Sequence, residues 1–345
     1  MALFGRKNST VGLDIGSGFV KVVEVDHSGG QPEVRRVAMR QLLPDTIVDG
    51  EVMDHALVSD TVSGLFQEIG LKGRDVVTGV GGHDVIIKKI EMDRMSESDA
   101  RDVIRWEAEQ HVPFDIKSVE LDFQILNPDD DGVRMEVLLV AAKRGLVDNK
   151  VGLLHEAGVS PNVIDVDAFA LHNAFEFNYP DAMAGIVALV NIGHEVTNVN
   201  ILEDGVPILT RDIPFGSRRV REDLQRERGL TSEQAERVVQ GREPVPGLDQ
   251  VVESAADEVG VGIERAAAFL MTRQSGEGLG SIYVSGGGAR IPGMAEALTR
   301  RMSVQTHLIN PFERVPVDPE AGGGLNLEEA APMLLLSLGL ALRST

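Results

Sequence analysis

The stretch Val11 to Val25, V-G-L-D-I-G-S-G-F-V-K-V-V-E-V, decides how the rest of the chain is read. Two apolar, β-branched runs flank Asp14-Ile15-Gly16-Ser17-Gly18, and this predicts a β-hairpin. Gly16 and Gly18 are free to take positive φ, and a tip shaped that way would turn successive backbone N–H groups toward an anion. Ser17 adds a hydroxyl donor, and Asp14 puts a carboxylate at the mouth, where a hydrated Mg²⁺ beside phosphates would sit. The same residues also suit a plain tight turn, and one short glycine motif does not discriminate between the two.

A second stretch repeats the pattern. Residues 188–202 read A-L-V-N-I-G-H-E-V-T-N-V-N-I-L, and Asn191-Ile192-Gly193 falls on Asp14-Ile15-Gly16 with apolar runs again on both sides. A third element, S-I-Y-V-S-G-G-G-A-R-I-P-G at 281–293, reads as a strand entering a glycine loop and then a helix. Two hairpins and one Gly-rich strand-to-helix loop are what a nucleotide clamped between two similar domains requires.

Composition narrows the classes. The 345 residues are 43% apolar, which predicts two or more domains with ample core. A net charge of −21 argues against a nucleic-acid partner, since the basic clusters Arg218-Arg219-Val220-Arg221 and Arg300-Arg301 are short. There is no cysteine, which leaves neither a disulfide framework nor thiolate chemistry and is compatible with a cytoplasmic location. The N-terminus M-A-L-F-G-R-K lacks the apolar core of a signal peptide. The run Met333 to Leu342 is too short to cross a bilayer and reads as a buried helix. Membrane association is therefore expected only through a partner.

Along the chain, Gln31 to Leu43 predicts a strand region, Asp54 to Leu71 an amphipathic helix, and Asp75 to Val80 a short buried strand. Composition shifts at Gly81-Gly82. Beyond it lie a strand at Val85 to Ile90 and a helix that Ser96 opens and Pro113 stops, with an apolar stripe of Ala100, Val103, Ile104, Ala108 and His111. Trp106 falls off that stripe, which leaves two readings, a partner contact or packing under a neighbouring loop. A strand pair at 120–127 and 133–142, turning through Pro128 to Gly132, and a helix at 143–157 complete a small α/β insert, 81–162. Val163 to Val166 then reads as a buried strand and Ala168 to Phe177 as a helix. Further helices are expected from 217 to Arg228, from Thr231 (with Gln234 completing a capping box), and from about 252 to near Arg273.

The hairpins, the insert position and the S-G-G-G-A-R-I-P-G loop together resemble the actin-like ATPase superfamily. Within it the chain is similar to the PilM family of cytoplasmic type IV pilus assembly proteins, relatives of the cell-division protein FtsA. Specific support comes from I-R-W-E-A-E-Q-H-V-P-F-D-I at 104–116 and D-V-D-A-F-A-L-H-N-A-F at 165–175. The resemblance implies an α/β, actin-like or Hsp70-like two-lobed ATPase fold with an FtsA-type insert subdomain in the first lobe. It implies a first-lobe core of 1–80 and 163–185, the insert at 81–162, a second-lobe core of 186–215 and 273–345, and a helical subdomain at 216–272. ATP with Mg²⁺ would lie in the cleft, its phosphates between the hairpins. Asp14, Gly16, Ser17 and Gly18 match the first phosphate motif, Asn191 and Gly193 occupy the second, and Gly286, Gly287 and Gly288 match the adenosine loop. Arg218 and Glu222 sit one helical turn apart near the nucleoside pocket, where the carboxylate would hold ribose hydroxyls; a surface ion pair explains them equally well. Lys21 either reaches a phosphate or is a solvated strand lysine.

One residue departs from the family pattern. ATP-hydrolysing relatives usually carry Asp where this chain has Asn191, and an amide is a poor group for orienting an attacking water. The expectation is ATP binding that stabilises a closed conformation, with slow turnover at most. The resemblance further implies binding of the N-terminal cytoplasmic tail of PilN in a groove between the first-lobe core and the insert, with Val85 to Ile90 among its lining. Through PilN it implies indirect coupling to PilO and the pilus motor ATPases, a role in twitching motility, and a place at the inner membrane; self-association is left open. The alternatives are a nucleotide-free adaptor scaffold and an actin-fold small-molecule kinase.

Overall fold

In the computed structural model β1 (Ser9–Ile15) and β2 (Phe19–Asp26) pair antiparallel, with Asp14 opposite Lys21. The structure describes residues 9–71, 73–128, 131–268, 270 and 278–343. Both strands are buried on each face, as their near-continuous β-branched sequence dictates. β3 (Glu33–Gln41) continues the sheet, and β4 (Ile47–Val48) and β5 (Glu51–Val52) form a two-residue ribbon beside it. Helix α1 (His55–Glu68) follows, opened by Asp54, whose carboxylate accepts from the Leu57 N–H. β6 (Asp75–Val80) runs parallel to β1.

The chain divides into two compact units, Val80–Gly152 and the remainder, Met1–Gly79 with Leu153–Thr345. The smaller unit holds β7 (Val85–Asp93), α2 (Glu97–Ala108), β8 (Val119–Ile125), β9 (Arg134–Lys143) and most of α3 (Arg144–Glu156). Its three strands form an antiparallel sheet in the order β7-β9-β8. Ser96 caps α2 by accepting from the Asp99 N–H, and Ala100, Ile104 and Ala108 bury against Met135, Val137 and Leu139. Val103, expected on that stripe, is exposed, because the sheet covers only the arc that 100, 104 and 108 define. Trp106 is 77% exposed, which excludes packing under a loop. Asp129 and Asp130 of the expected turn lie outside the described residues. The smaller unit stops before the expected 162 because Leu153, Leu154, Ala157 and Val159 bury among Val11, Leu13 and Phe66 of the larger one.

In the larger unit β10 (Ser160–Val166) extends the first sheet to the order β10-β6-β1-β2-β3. The expected buried strand at Val163 to Val166 is an edge strand, buried only at its C-terminal end, Asp165 and Val166. Helix α4 (Asp167–Asn178) leads to the second sheet. There β11 (Ile186–Ile192) and β12 (Thr197–Glu203) repeat the first hairpin, with Asn191 opposite Asn198. β13 (Val206–Ile213), β14 (Ser281–Ser285) and β15 (Thr306–Leu308) complete the order β13-β12-β11-β14-β15. Helices α5 (Ser217–Arg228), α6 (Ser232–Val239) and α7 (Leu248–Ala267) lie between β13 and β14, and Thr231 and Gln234 form the predicted reciprocal cap on α6. The stretch 271–277, where α7 was expected to end, lies outside the described residues.

After α8 (Met294–Met302), α9 (Leu327–Ala330) and a short 3₁₀ turn, α10 (Leu335–Leu342) runs through the centre of the unit. It packs on α4, β1 and β2 and buries Leu335, Leu336, Leu338 and Leu340 in a core shared with Val23, Phe175 and Leu189. At ~1.5–3 kcal/mol for each buried leucine, this helix outweighs any surface ion pair of the molecule. Its backbone comes close to its neighbours because Gly12 and Gly339 lack a Cβ. One at Gly339 would stand 1.7 Å from the Ala170 carbonyl oxygen, and one at Gly12 would stand 2.1 Å from that of Ser337. Among the described residues no helix is long and apolar enough to cross a membrane.

Candidate functional site

The two hairpin tips close by the same turn. The Gly16 N–H donates to the Phe19 carbonyl at 3.1 Å, and the Gly193 N–H donates to the Val196 carbonyl at 3.0 Å. Both amides are therefore committed inside their own turns. Gly16 and Gly18 are not among the left-handed residues, so the anion-cradling tip expected from positive φ is not formed by them. Gly18 is needed for a different reason: a Cβ there would meet the His194 ring at 3.0 Å. The left-handed glycine of the site is Gly286, φ +87°, whose N–H donates to the Pro332 carbonyl at 2.7 Å.

Equivalent strand positions carry different chemistry in the two hairpins. In the first, the cross-strand pair Asp14 and Lys21 forms an ion pair, with Asp14 7% exposed and the lysine side chain 16% exposed. Lys21 is thus a half-buried counter-ion of Asp14, and the reading of a solvated strand lysine falls. In the second, Asn191 Nδ2 donates to Asn198 Oδ1 at 3.3 Å, and Asn198 Nδ2 donates to Asp212 Oδ1 at 2.6 Å. Ser285 Oγ donates to Asn191 Oδ1 at 3.2 Å. A polar relay thus crosses four adjacent strands, and Asn191 is an inner link of it.

Between the tips lies a cavity of about 60 Å³. Ser17, Gly18, His194, Gly287, Arg290 and Met333 line it. Arg221, Glu236 and Gln240 wall it from α5 and the α6 end, where Glu236 accepts from Arg221 at 2.9 Å and from Gln240 at 2.7 Å. Burial, reinforced by the Arg221 and Arg218 guanidiniums, holds the His194 imidazolium down to a pKa of about 4, so the ring is neutral near pH 7. Burial also pulls the Arg290 guanidinium below its ordinary value.

Arg218 stands at the rim. Its Nη1 donates to Glu195 at 2.8 Å and reaches Asp45 at 2.9 Å, while Nε donates to Glu222 at 2.9 Å. Glu195 also accepts from the Asp49 N–H at 3.1 Å. Asp45 and Asp49 both hold left-handed backbone, φ +60° and +51°. The i,i+4 pair expected of Arg218 and Glu222 is present, and it belongs to a clasp joining the loop after β3 to the second hairpin.

The structure therefore brings Ser17, Gly18 and Gly287 to one cavity, sets Asp14, Lys21 and Asn191 on the strands behind it, and leaves Arg218 and Glu222 at its edge. Sequence reasoning did not single out His194, Arg221, Glu236, Gln240 or Arg290. The signals were the i,i+4 pair Glu236 and Gln240 on a capped helix, and the arginine inside the glycine loop. The lining offers the Ser17 and Ser217 hydroxyls, the Glu236 carboxylate, the Gln240 amide and the Arg221 and Arg290 guanidiniums, donor and acceptor types that suit a nucleotide. Among the described residues no three His, Asp or Glu side chains gather as a metal cage. At about 60 Å³ the cavity is far smaller than the ~300–1,000 Å³ typical of ligand pockets.

Comparison with known proteins places the chain. The family model for type IV pilus assembly protein PilM matches residues 12–345. The solved PilM-PilN type IV pilus biogenesis complex is similar at 28% identity and a TM-score of 0.83, covering 98% of this chain and 99% of that one. Ethanolamine utilization protein EutJ from Carboxydothermus hydrogenoformans shares the fold at 18% identity and a TM-score of 0.57, covering 99% of this chain and 91% of that one. MreB5 of Spiroplasma citri bound to AMPPNP does so at 12% identity and a TM-score of 0.52, covering 97% and 95%. With its actin-like α/β architecture and a family match over nearly its whole length, the chain belongs to the PilM family of type IV pilus assembly proteins.

Proposed function

We propose that this protein is the ATP-binding component of the type IV pilus inner-membrane platform, and that it binds the N-terminal cytoplasmic tail of PilN. The observation that carries the nucleotide half is the cavity bounded by both hairpin tips and the glycine loop. ATP with Mg²⁺ would supply a polyanion here: Ser17 would donate to it, Asp14 would stand nearest the Mg²⁺, and Lys21 would offer it positive charge. Glu236 and Gln240 would hold the ribose hydroxyls, and Arg290 would flank the base. Asn191, held by Ser285 and Asn198, offers no negative charge for orienting water, so turnover is slow at most.

Family membership supports the partner half, together with the similarity to the PilM-PilN complex. Among the described residues no strand pairs with the outer edge of β7, and an extended tail would add backbone hydrogen bonds there. Through that tail the protein sits at the inner membrane and connects PilO and the motor ATPases that drive twitching. In this reading the larger unit comprises a first-lobe core, a second-lobe core and the helical subdomain at 216–272, and the smaller unit is the insert.

Calorimetric titration with ATP and Mg²⁺, with and without a PilN tail peptide, tests both halves. ATP binding that Asp14→Ala abolishes and that peptide alters supports the reading. Peptide binding with no ATP binding under any condition overturns the nucleotide half and leaves an adaptor. In a phosphate-release assay Asn191→Asp should raise turnover, and unchanged release would defeat the charge argument.

A further inference from the structure

The search outside the cleft ends on α2. Its buried face is complete, yet Trp106 on the opposite side is 77% exposed and Val103 is 36% exposed. Helical spacing puts Asp102 and Val103 four and three residues before Trp106, and Glu109 three residues after it, so carboxylates frame the indole on both sides. The ion pairs of this unit use other groups: Arg101 with Glu97, Lys89 with Glu136, Arg134 with Asp93, Arg144 with Glu120, and Lys143 with Asp84. Among the described residues no cation pairs with Asp102 or Glu109. An uncovered indole is a large apolar surface whose π-face also attracts guanidinium and ammonium groups.

We propose that the Asp102-Val103-Trp106-Glu109 face of α2 is a docking surface for a cationic amphipathic segment of a protein partner. An arginine or lysine of that segment stacks on Trp106 and pairs with Asp102 or Glu109, while a neighbouring apolar residue covers Val103. Charge complementarity selects this occupant: Arg105, three residues from Asp102 and four from Glu109, can neutralise only one of the two carboxylates, and an acidic segment would face the net negative charge that remains. The surface needs neither the nucleotide cleft nor the β7 edge, so it stands independently of the function proposed above.

Trp106 is the single tryptophan of the chain, so its emission reports this face alone. The probe is a fluorescein-labelled amphipathic leucine–arginine peptide about four helical turns long, with leucine–glutamate and leucine–glutamine peptides of the same length as controls. Titration of the full chain with the arginine peptide should shift Trp106 emission to the blue. The shift should weaken with added salt and be absent with the glutamate peptide. Asp102→Asn with Glu109→Gln, both exposed and isosteric, should weaken binding about tenfold, and Trp106→Ala should abolish it by anisotropy. Binding seen by anisotropy with no change in Trp106 emission would overturn the proposal, as would equal shifts from the arginine and glutamate peptides. Emission that moves with protein concentration alone would replace the cationic segment with a second copy of this chain.

Discussion

His194 faces Gly18 across the hairpin tips as a neutral ring, and its titration is legible in stability. Its folded pKa, about 4, lies below the ordinary value of 6.5, so between those limits the unfolded chain takes up a proton that the folded chain refuses. Its contribution is complete above pH 6.5 and is lost as pH falls toward 4. His172, lowered by burial against the opposing pull of Glu176, acts in the same direction. We expect His194→Asn to flatten the fall in stability by about 2 kcal/mol between neutral pH and pH 4.5. Denaturant midpoints measured across that range check it; an unchanged slope would mean that the ring is already solvated. The sequence showed the residues of both tips but not their backbone. Gly16 and Gly18 permit positive φ without requiring it, and the turns close through the Phe19 and Val196 carbonyls instead. Nor was the Asp14–Lys21 pair visible until the register set the two residues opposite one another.

At the scale of elements, apolar alternation and glycine spacing located both hairpins, the β14 loop and the starts of the capped helices within a residue or two, but α1 ends at Glu68 rather than Leu71 and α2 at Ala108, short of His111 and Pro113. What alternation cannot show is which distant segments meet. The clasp of Arg218 with Asp45 and Glu195 joins the loop after β3 to α5 and the second hairpin, and no local pattern in any of the three announces it. The clasp also holds Asp45 and Asp49 in backbone that L-residues visit reluctantly. Arg218→Ala should therefore loosen the β4–β5 ribbon. Hydrogen exchange of residues 43–53 should speed up about fivefold, the effect of roughly 1 kcal/mol, while exchange in α7 stays unchanged. Exchange unaltered at 43–53 would show that the ribbon is held by its own turn.

For the whole molecule, α10 is the piece on which both sheets depend; the sequence marked it as a buried helix too short for a membrane, but not which sheets it would pack against. Its fit rests on missing atoms. Gly339→Ala places a methyl group against the Ala170 carbonyl with nothing flexible to yield, and should cost about 2–4 kcal/mol. Thermal unfolding should begin several degrees lower, whereas Gly145→Ala, in open space on α3, should leave it unchanged. The same helix sets the timetable of assembly. β1 leaves the ribosome long before α10, because the turn of helix that seals Gly12 comes only with Ser337. At ~5–20 residues per second the interval is roughly 15–60 s. For all of it the apolar side of the first sheet is uncovered, a surface for chaperones or for mispairing, and the larger unit can lock shut only after residue 340 has emerged.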